Sequence, residues 1–203
     1  MKPFVSHPAE VPPGYPGGYE RELRLAGGRL AQIRPIVPAD RFPLACAILA
    51  ADADTLYRRF LGSPPPLTPA LLTYLCTVDY HKRFALVAGD PETGDGIAVA
   101  RYEATGEASA EIAVAVDPRW RRIGLATALV EILAEAALER GIHTFTASYL
   151  AENRPVAALL ALVGSDRTAK IREGLAEAVV ALDPASVSEA VKRLEGDGSS
   201  PSQ

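Results

Sequence analysis

Residues Val116 to Leu129 read VDPRWRRIGLATAL, and the change of pattern inside that stretch decides how the chain folds. A Val/Ala strand pattern runs into Asp117-Pro118, where proline ends regular pairing, and an Ala/Leu helical pattern starts just beyond Gly124. A strand that turns straight into a helix exposes first-turn amides with no intrahelical partner, at the positive end of the macrodipole. Phosphate oxygens are favoured at such a place. Gly124 lets the backbone come close, small Ala126 keeps the approach open, and Arg119, Arg121 and Arg122 add charge-assisted donors. The same residues also read as an ordinary strand-to-helix connection with solvated arginines.

Upstream, Ala110-Glu111-Ile112-Ala113-Val114-Ala115-Val116 is an apolar strand with one charge near its start, and an ionised Glu is seldom buried without a partner or a task. Strand patterns also cover Arg83 to Gly89 and Gly96 to Glu103. Tyr19 to Ala26 and Arg29 to Ile36 predict a hairpin around Gly27-Gly28. Asp40 to Phe60 holds one or two helices, Pro64-Pro65-Pro66 breaks the pattern, and Thr68 caps a helix from Pro69 to Val78. Downstream, Ile123 to Arg140 is the longest helix, with Leu125, Leu129, Ile132, Leu133, Ala136 and Ala137 on one face. A strand from His143 to Leu150 leads through Ala151-Glu152-Asn153-Arg154-Pro155 into an apolar helix that ends at Gly164. Asp166 to Arg172 and Leu175 to Leu182 predict a last hairpin. The expected organisation is a Pro/Gly tail over 1–18 that buries little, one domain over 19–183, and a short helix with a Ser/Pro end over 184–203. Alternating strands and helices with several hairpins imply an α/β (α+β) class, a mixed sheet with helices on both faces.

Composition narrows the function. Lys+Arg 21 against Asp+Glu 25 gives a formal charge of −4, which argues against general nucleic-acid binding. There is no G-x-x-x-x-G-K-[ST] and no helix-opening G-x-G-x-x-G, so the two familiar nucleotide loops are unsupported. No run approaches the length of a membrane span and no apolar signal segment follows Met1, which sets the expectation of a cytoplasmic protein without a membrane partner. Cys46 and Cys76 read as reduced core thiols. His7, His81 and His143 form no ligand cluster, so no metal is expected.

Arg121-x-x-Gly124-x-Ala126 resembles the acyl-CoA loop, [QR]-x-x-G-x-[GA], of the GNAT superfamily of N-acetyltransferases. The likeness extends from about Tyr19 to Asp183. It is closest to bacterial protein-lysine acetyltransferases of the Pat type, through Ile33-Arg34-Pro35-Ile36 with Asp40, Tyr57-Arg58-Arg59-Phe60, Asp79-Tyr80, Arg83 to Ala88, Ala110-Glu111, Trp120 and Glu152-Asn153-Arg154-Pro155. Only about 20 residues precede the first strand, which sets the expectation of no fused regulatory domain of the kind that some of these enzymes carry. The resemblance implies a mostly antiparallel sheet in which the strands the superfamily counts fourth and fifth splay apart to admit the pantetheine arm.

It also implies roles. Acetyl-CoA would lie on Val114, Ala115 and Val116, on the loop and helix start Arg121, Arg122, Ile123, Gly124, Leu125, Ala126 and Thr127, and beside Asn153. Glu111 would be the general base that takes a proton from the attacking amine, and the Val114 N–H would stabilise the thioester oxygen as it becomes negative. Glu111 also reads as a strand-end residue facing solvent or an arginine. The acceptor wall is expected over Asp52 to Val78 and the turn from Asp79 to Lys82, with Arg58 and Arg59 on its rim and Asp79 and Tyr80 against the substrate. Two departures stand out: Leu160 occupies the place where many relatives have a Tyr that protonates the departing thiolate, and Gly164-Ser165 replaces a common Gly-Phe. A protein lysine is the expected acceptor; a small amine, or a non-catalytic acyl-CoA-binding role, fits the same motifs.

Overall fold

The computed structural model describes residues 8, 10–164 and 167–198. Parts of the N-terminal tail (1–7 and 9), Ser165-Asp166, on which the expected Gly164-Ser165 exit and the start of the last hairpin fall, and the end over 199–203 lie outside the described residues. Eight strands form one sheet: β1 (Arg21–Arg24), β2 (Leu30–Pro35), β3 (Arg83–Gly89), β4 (Gly96–Ala104), β5 (Ser109–Val116), β6 (Thr144–Leu150), β7 (Arg167–Arg172) and β8 (Leu175–Ala181). Their order is β1-β2-β3-β4-β5-β6-β8-β7, antiparallel throughout except for the parallel pair β5–β6. Helices α1 (Arg41–Ala50), α2 (Ala53–Phe60) and α3 (Pro69–Cys76) connect β2 to β3, while α4 (Leu125–Leu138) joins β5 to β6. After β6 come α5 (Arg154–Leu162) and, last, α6 (Pro184–Gly198). The mixed, mostly antiparallel sheet with helices on both faces is the one the sequence implies.

Alternation along the strands builds two cores. Ala110, Ile112 and Val116 of β5 join Phe84, Ala100, Tyr102 and Phe145 beneath α4, whose Leu125, Leu129, Ile132 and Leu133 are fully buried. Because α4 also packs against α5 and α6, its buried surface runs far beyond one stripe and includes Val130 and Ala134. The opposite face buries Ile36, Cys76, Ala85 and Val87 under α1 and α3, with Cys46 only partly covered. α6 extends well past a short tail: Val187, Ala190 and Val191 are buried, and Arg193 lies 3.6 Å from Glu131 of α4. The end of the N-terminal tail is also in contact, with the Tyr15 ring edge-on to Tyr80 at 5.8 Å. Among the described residues no helix is long and apolar enough to cross a membrane.

The feature that positions everything else is the wedge between β5 and β6. They pair only at Ser109↔Thr144, Ala110↔Phe145 and Glu111↔Thr146, although β5 continues to Val116 and β6 to Leu150. β5 is held along its length by β4, and β6 by β8 from Thr144↔Ala181 to Leu150↔Leu175. Each strand follows its outer neighbour, so their twist separates them beyond Glu111.

On the α1 side, β2 is locked to the helix by a buried ion pair. Arg34 is 1% exposed and donates to both carboxylate oxygens of Asp40 at 2.7 and 2.8 Å, while Asp40 also accepts from the Val37 amide at 2.8 Å. Asp40→Ala leaves that guanidinium buried without its counter-charge, and chemical denaturation at pH 7 should show a loss of about 3–5 kcal/mol.

Candidate active site

The chain leaves β5 through a short turn, Pro118 to Trp120, capped by Asp117, and reaches α4 by two residues of positive φ, Arg122 (62°) and Gly124 (94°). A non-glycine residue at positive φ is uncommon and costs free energy, and Arg122 shares this conformation with Leu61, Tyr80 and Glu173. The helical ladder starts with the Ala128 N–H to the Gly124 carbonyl at 3.0 Å. Among the described residues, no backbone or side-chain acceptor takes the amides of residues 122 to 127. Such a run around positive-φ residues at a helix N-terminus has backbone donors to spare, which is the chemistry that suits an anion.

The back of this loop is braced by the β1–β2 hairpin. The Ala26 amide donates to the Ile123 carbonyl at 3.2 Å, and Arg29 donates to the Arg119 carbonyl at 2.7 Å while lying 3.4 Å over the buried Trp120 ring. The loop arginines divide their work differently from the sequence expectation. Arg119 is paired with Asp117 through Nη2 at 2.8 Å. Arg121 donates to the Thr55 hydroxyl at 2.7 Å and to the Val116 carbonyl at 3.2 Å, tying α2 to the end of β5. Only Arg122 is exposed with no hydrogen bond or ion pair among the described residues.

Hydrogen bonds at its two ends fix which way β5 faces. The Asp117 amide donates to Ile97 of β4, whereas the Ala110 carbonyl accepts from Thr146 of β6 and the Val116 carbonyl from Arg121. By strand alternation, the main-chain groups of Val114 and Val116 point into the wedge, beyond the last β5–β6 pair. Ala115 instead has its main-chain groups towards β4 and its side chain on the α1–α3 face, where it lines a cavity.

That face carries the charged residues in register. Successive rows across β3, β4 and β5 are Val87–Val99–Ala115, Ala85–Arg101–Ala113 and Arg83–Glu103–Glu111. Glu111 is exposed and sits where the wedge opens. Glu103 beside it is engaged by the Tyr74 hydroxyl at 2.6 Å, by Arg83 at 3.7 Å and by Arg101 at 3.8 Å. Arg59 of α2 reaches the same region, and the charges of Glu111 and Glu103 act on it.

A family model described as the acetyltransferase (GNAT) family matches residues 52–164. The chain belongs to the GNAT acetyltransferase family. It is 30% identical over 168 residues to the acetyltransferase Pat of Mycolicibacterium smegmatis, a match covering 74% of this chain and 50% of that protein. This chain therefore matches only about half the length of that relative. An acetyltransferase of Pseudomonas aeruginosa is 31% identical over 143 residues, 69% of this chain and 77% of its own. The GNAT domain of S. lividans PAT superposes with a TM-score of 0.73 at 27% identity, over 83% of this chain and 99% of that one.

In this GNAT acetyltransferase, Asn153 opens α5 without using its side chain as a helix cap, which leaves the amide group free for other contacts. Leu160 is 1% exposed within the main core, an apolar side chain that carries no proton to donate. Two residues expected against the substrate, Asp79 and Tyr80, are held in other contacts. The Asp79 carboxylate accepts from the amides of His81 and Arg83 at 2.8 Å; burial opposes its ionisation, yet these amides hold it below the usual carboxylate range. Tyr80 is buried with its hydroxyl donating to the Ile36 carbonyl at 2.7 Å, and burial pushes its pKa up to about 12. Both residues serve the turn and core. Arg58 is partly exposed and pairs with Asp54, but Arg59 is turned inward, a correction to its expected place on the rim. Arg29 was not singled out from the sequence, because its value lies in a stack on a tryptophan far along the chain.

Trp120 is the single tryptophan of the chain and reports on the loop directly. Arg29→Ala removes its cation–π cover and one carbonyl tether, so tryptophan emission should shift to the red while the far-ultraviolet circular dichroism stays unchanged. An unshifted spectrum would show that the loop holds its form without the hairpin.

Proposed function

We propose that this GNAT acetyltransferase transfers an acetyl group from acetyl-CoA to a primary amine by direct attack, with a protein lysine side chain as acceptor. GNAT enzymes use acetyl-CoA. The observation that carries the reading is the continuity of the donor surface: unpartnered amides over 122–127 with Arg122 beside them, then the open main-chain edge at Val114 and Val116, then Glu111 where the wedge begins. The amides of Ile123, Gly124, Leu125, Ala126 and Thr127 suit a pyrophosphate, the β5 edge with Ala115 behind it suits the amide groups of a pantetheine arm, and Asn153 flanks the arm from α5.

Bound acetyl-CoA supplies the activated thioester acyl group. The residues of the chain do the rest. An alkyl ammonium has a pKa of about 10.4, so at neutral pH the amine needs a base, and Glu111 is that base. The Val114 N–H is aimed into the wedge, where it can donate to an oxygen that gains negative charge. Leu160 gives no proton to the departing thiolate, which leaves with help from solvent; a thiol of pKa about 8.5 is a fair leaving group. Protein lysine as acceptor rests on the likeness to the Pat acetyltransferases. The cavity beneath α1 and α2 favours a second reading, a small-molecule amine.

Glu111→Gln should keep acetyl-CoA affinity in calorimetry and lower kcat on the order of 10²- to 10⁴-fold, with part of the loss recovered at high pH where more amine is already neutral. A small loss at neutral pH would move the proton acceptor elsewhere. For the acceptor, Arg58→Glu should reduce kcat/KM for a protein substrate, identified by labelled acetyl-CoA in lysate, more than kcat/KM for a free lysine analogue, because only a large partner spans rim charges. An unchanged ratio favours the small amine.

A further inference from the structure

Between the α1–α3 helices and the β3–β5 strands lies a cavity of about 540 Å³. Its walls are apolar for the most part, with Leu44, Ile48, Leu56, Phe60, Val87 and Val99 among them. At its inner side stand two guanidinium groups, Arg59 from α2 and Arg101 from β4. Burying two like charges on an apolar wall is costly unless something answers them.

The chain answers them only in part. Arg101 is 7% exposed; its Nη2 donates to the Leu75 carbonyl at 2.6 Å, but its buried Nη1 makes no hydrogen bond and has only Glu103 within ion-pair range, at 3.8 Å. Glu103 is shared with Tyr74 and Arg83. Arg59 makes no hydrogen bond or ion pair within 4 Å among the described residues. Burial lowers the pKa of both arginines, and burial together with the Arg59 charge brings Arg101 down to about 10, so each is still a cation at neutral pH. The acidic residues on the cavity wall are mostly committed elsewhere: Asp40 to Arg34, Asp52 to Thr55 and Asp117 to Arg119, with Asp95 on the β3–β4 turn.

We infer that this cavity is a binding site for a small molecule with an apolar body and one carboxylate, the carboxylate bridging Arg59 and Arg101 and the body filling the space beneath α1 and α2. A single carboxylate gives Arg59 a hydrogen-bonded counter-charge, answers part of the charge of Arg101 and offsets the repulsion between the two. The volume is within the range of small-molecule sites, which pair apolar walls with a few polar anchors. Arg101 stands one side-chain row from the Glu103–Glu111 row, so the carboxylate end lies on the acceptor side of Glu111. The unpartnered amides of residues 122–127 belong to the start of α4, across the sheet, and are not part of this cavity.

The probe is 3-phenylpropanoate, titrated calorimetrically at pH 7 against the full chain, with 3-phenylpropanamide as its uncharged counterpart. The acid should bind saturably, and the amide at least about tenfold more weakly, since a charge-assisted pair is replaced by a neutral contact. Arg59→Gln and Arg101→Gln should each weaken the acid by about tenfold or more and leave the amide unchanged. Should Arg101→Gln fail to fold, the comparison of acid with amide on the wild type and on Arg59→Gln decides the matter alone. Saturating coenzyme A should leave the acid bound, and Glu111→Gln should bind it at least as tightly as the wild type, because it removes a negative charge that acts on Arg59, so the result stands whether or not Glu111 is the base. Absent binding of the acid, equal affinity for acid and amide, or displacement of the acid by coenzyme A overturns the inference.

Discussion

Two strands that cannot both stay with their outer neighbours and with each other set the character of this protein. β5 follows β4 and β6 follows β8, so the parallel pair ends at Glu111↔Thr146 and leaves main-chain groups of Val114 and Val116 without a strand to bond. Unpaired edge groups inside a sheet are unfavourable unless water or a ligand takes them. The wedge thus presents an open main-chain edge, and it lies next to the unpartnered amides of residues 122–127 because β5 runs directly into the loop before α4.

A loop with two positive-φ residues and a run of unsatisfied amides does not hold itself in place. Its support comes from two separate elements: the β1–β2 turn, through Ala26 and through Arg29 stacked on the buried Trp120 ring, and α2, through Thr55 bonded to Arg121. These contacts use carbonyls and side chains on the loop and leave its amides facing outward. The arrangement also assigns the motif arginine a mechanical part. Arg121 joins the donor loop to the helix that covers the opposite face of the sheet, so the two halves of the site are connected by one guanidinium.

That opposite face is electrostatically crowded. Three arginines and two glutamates from β3, β4, β5 and α2 meet over two side-chain rows, and Glu103 alone has several partners. Engaging Glu103 in this way limits its repulsion of Glu111 across the β4–β5 pair, and the charges of both glutamates act on the inward-turned Arg59. The surplus of positive charge is carried by Arg59 and Arg101, next to an apolar space.

Local pattern determined much of this in advance. The period-two run from Ala110 to Val116, the Asp117-Pro118 stop and the helical spacing after Gly124 specify strand, turn and helix because each signal acts within a few residues. Hence the strands, the turn into the helix and the place of Glu111 on its strand were legible. The motif shared with the GNAT family added the expectation of a splay. What the sequence could not show is which side chains meet across distance. Arg29 on Trp120, Arg121 on Thr55, the retirement of Asp79 and Tyr80 into turn and core, and the inward turn of Arg59 beside Arg101 all depend on how helices α1 to α3 and the β1–β2 hairpin lie on the sheet. A charged residue in a linear pattern has no stated partner. Only the packed structure decides whether it faces water, a neighbour or an unfilled cavity, because burial and pairing are properties of the space between elements rather than of any one of them.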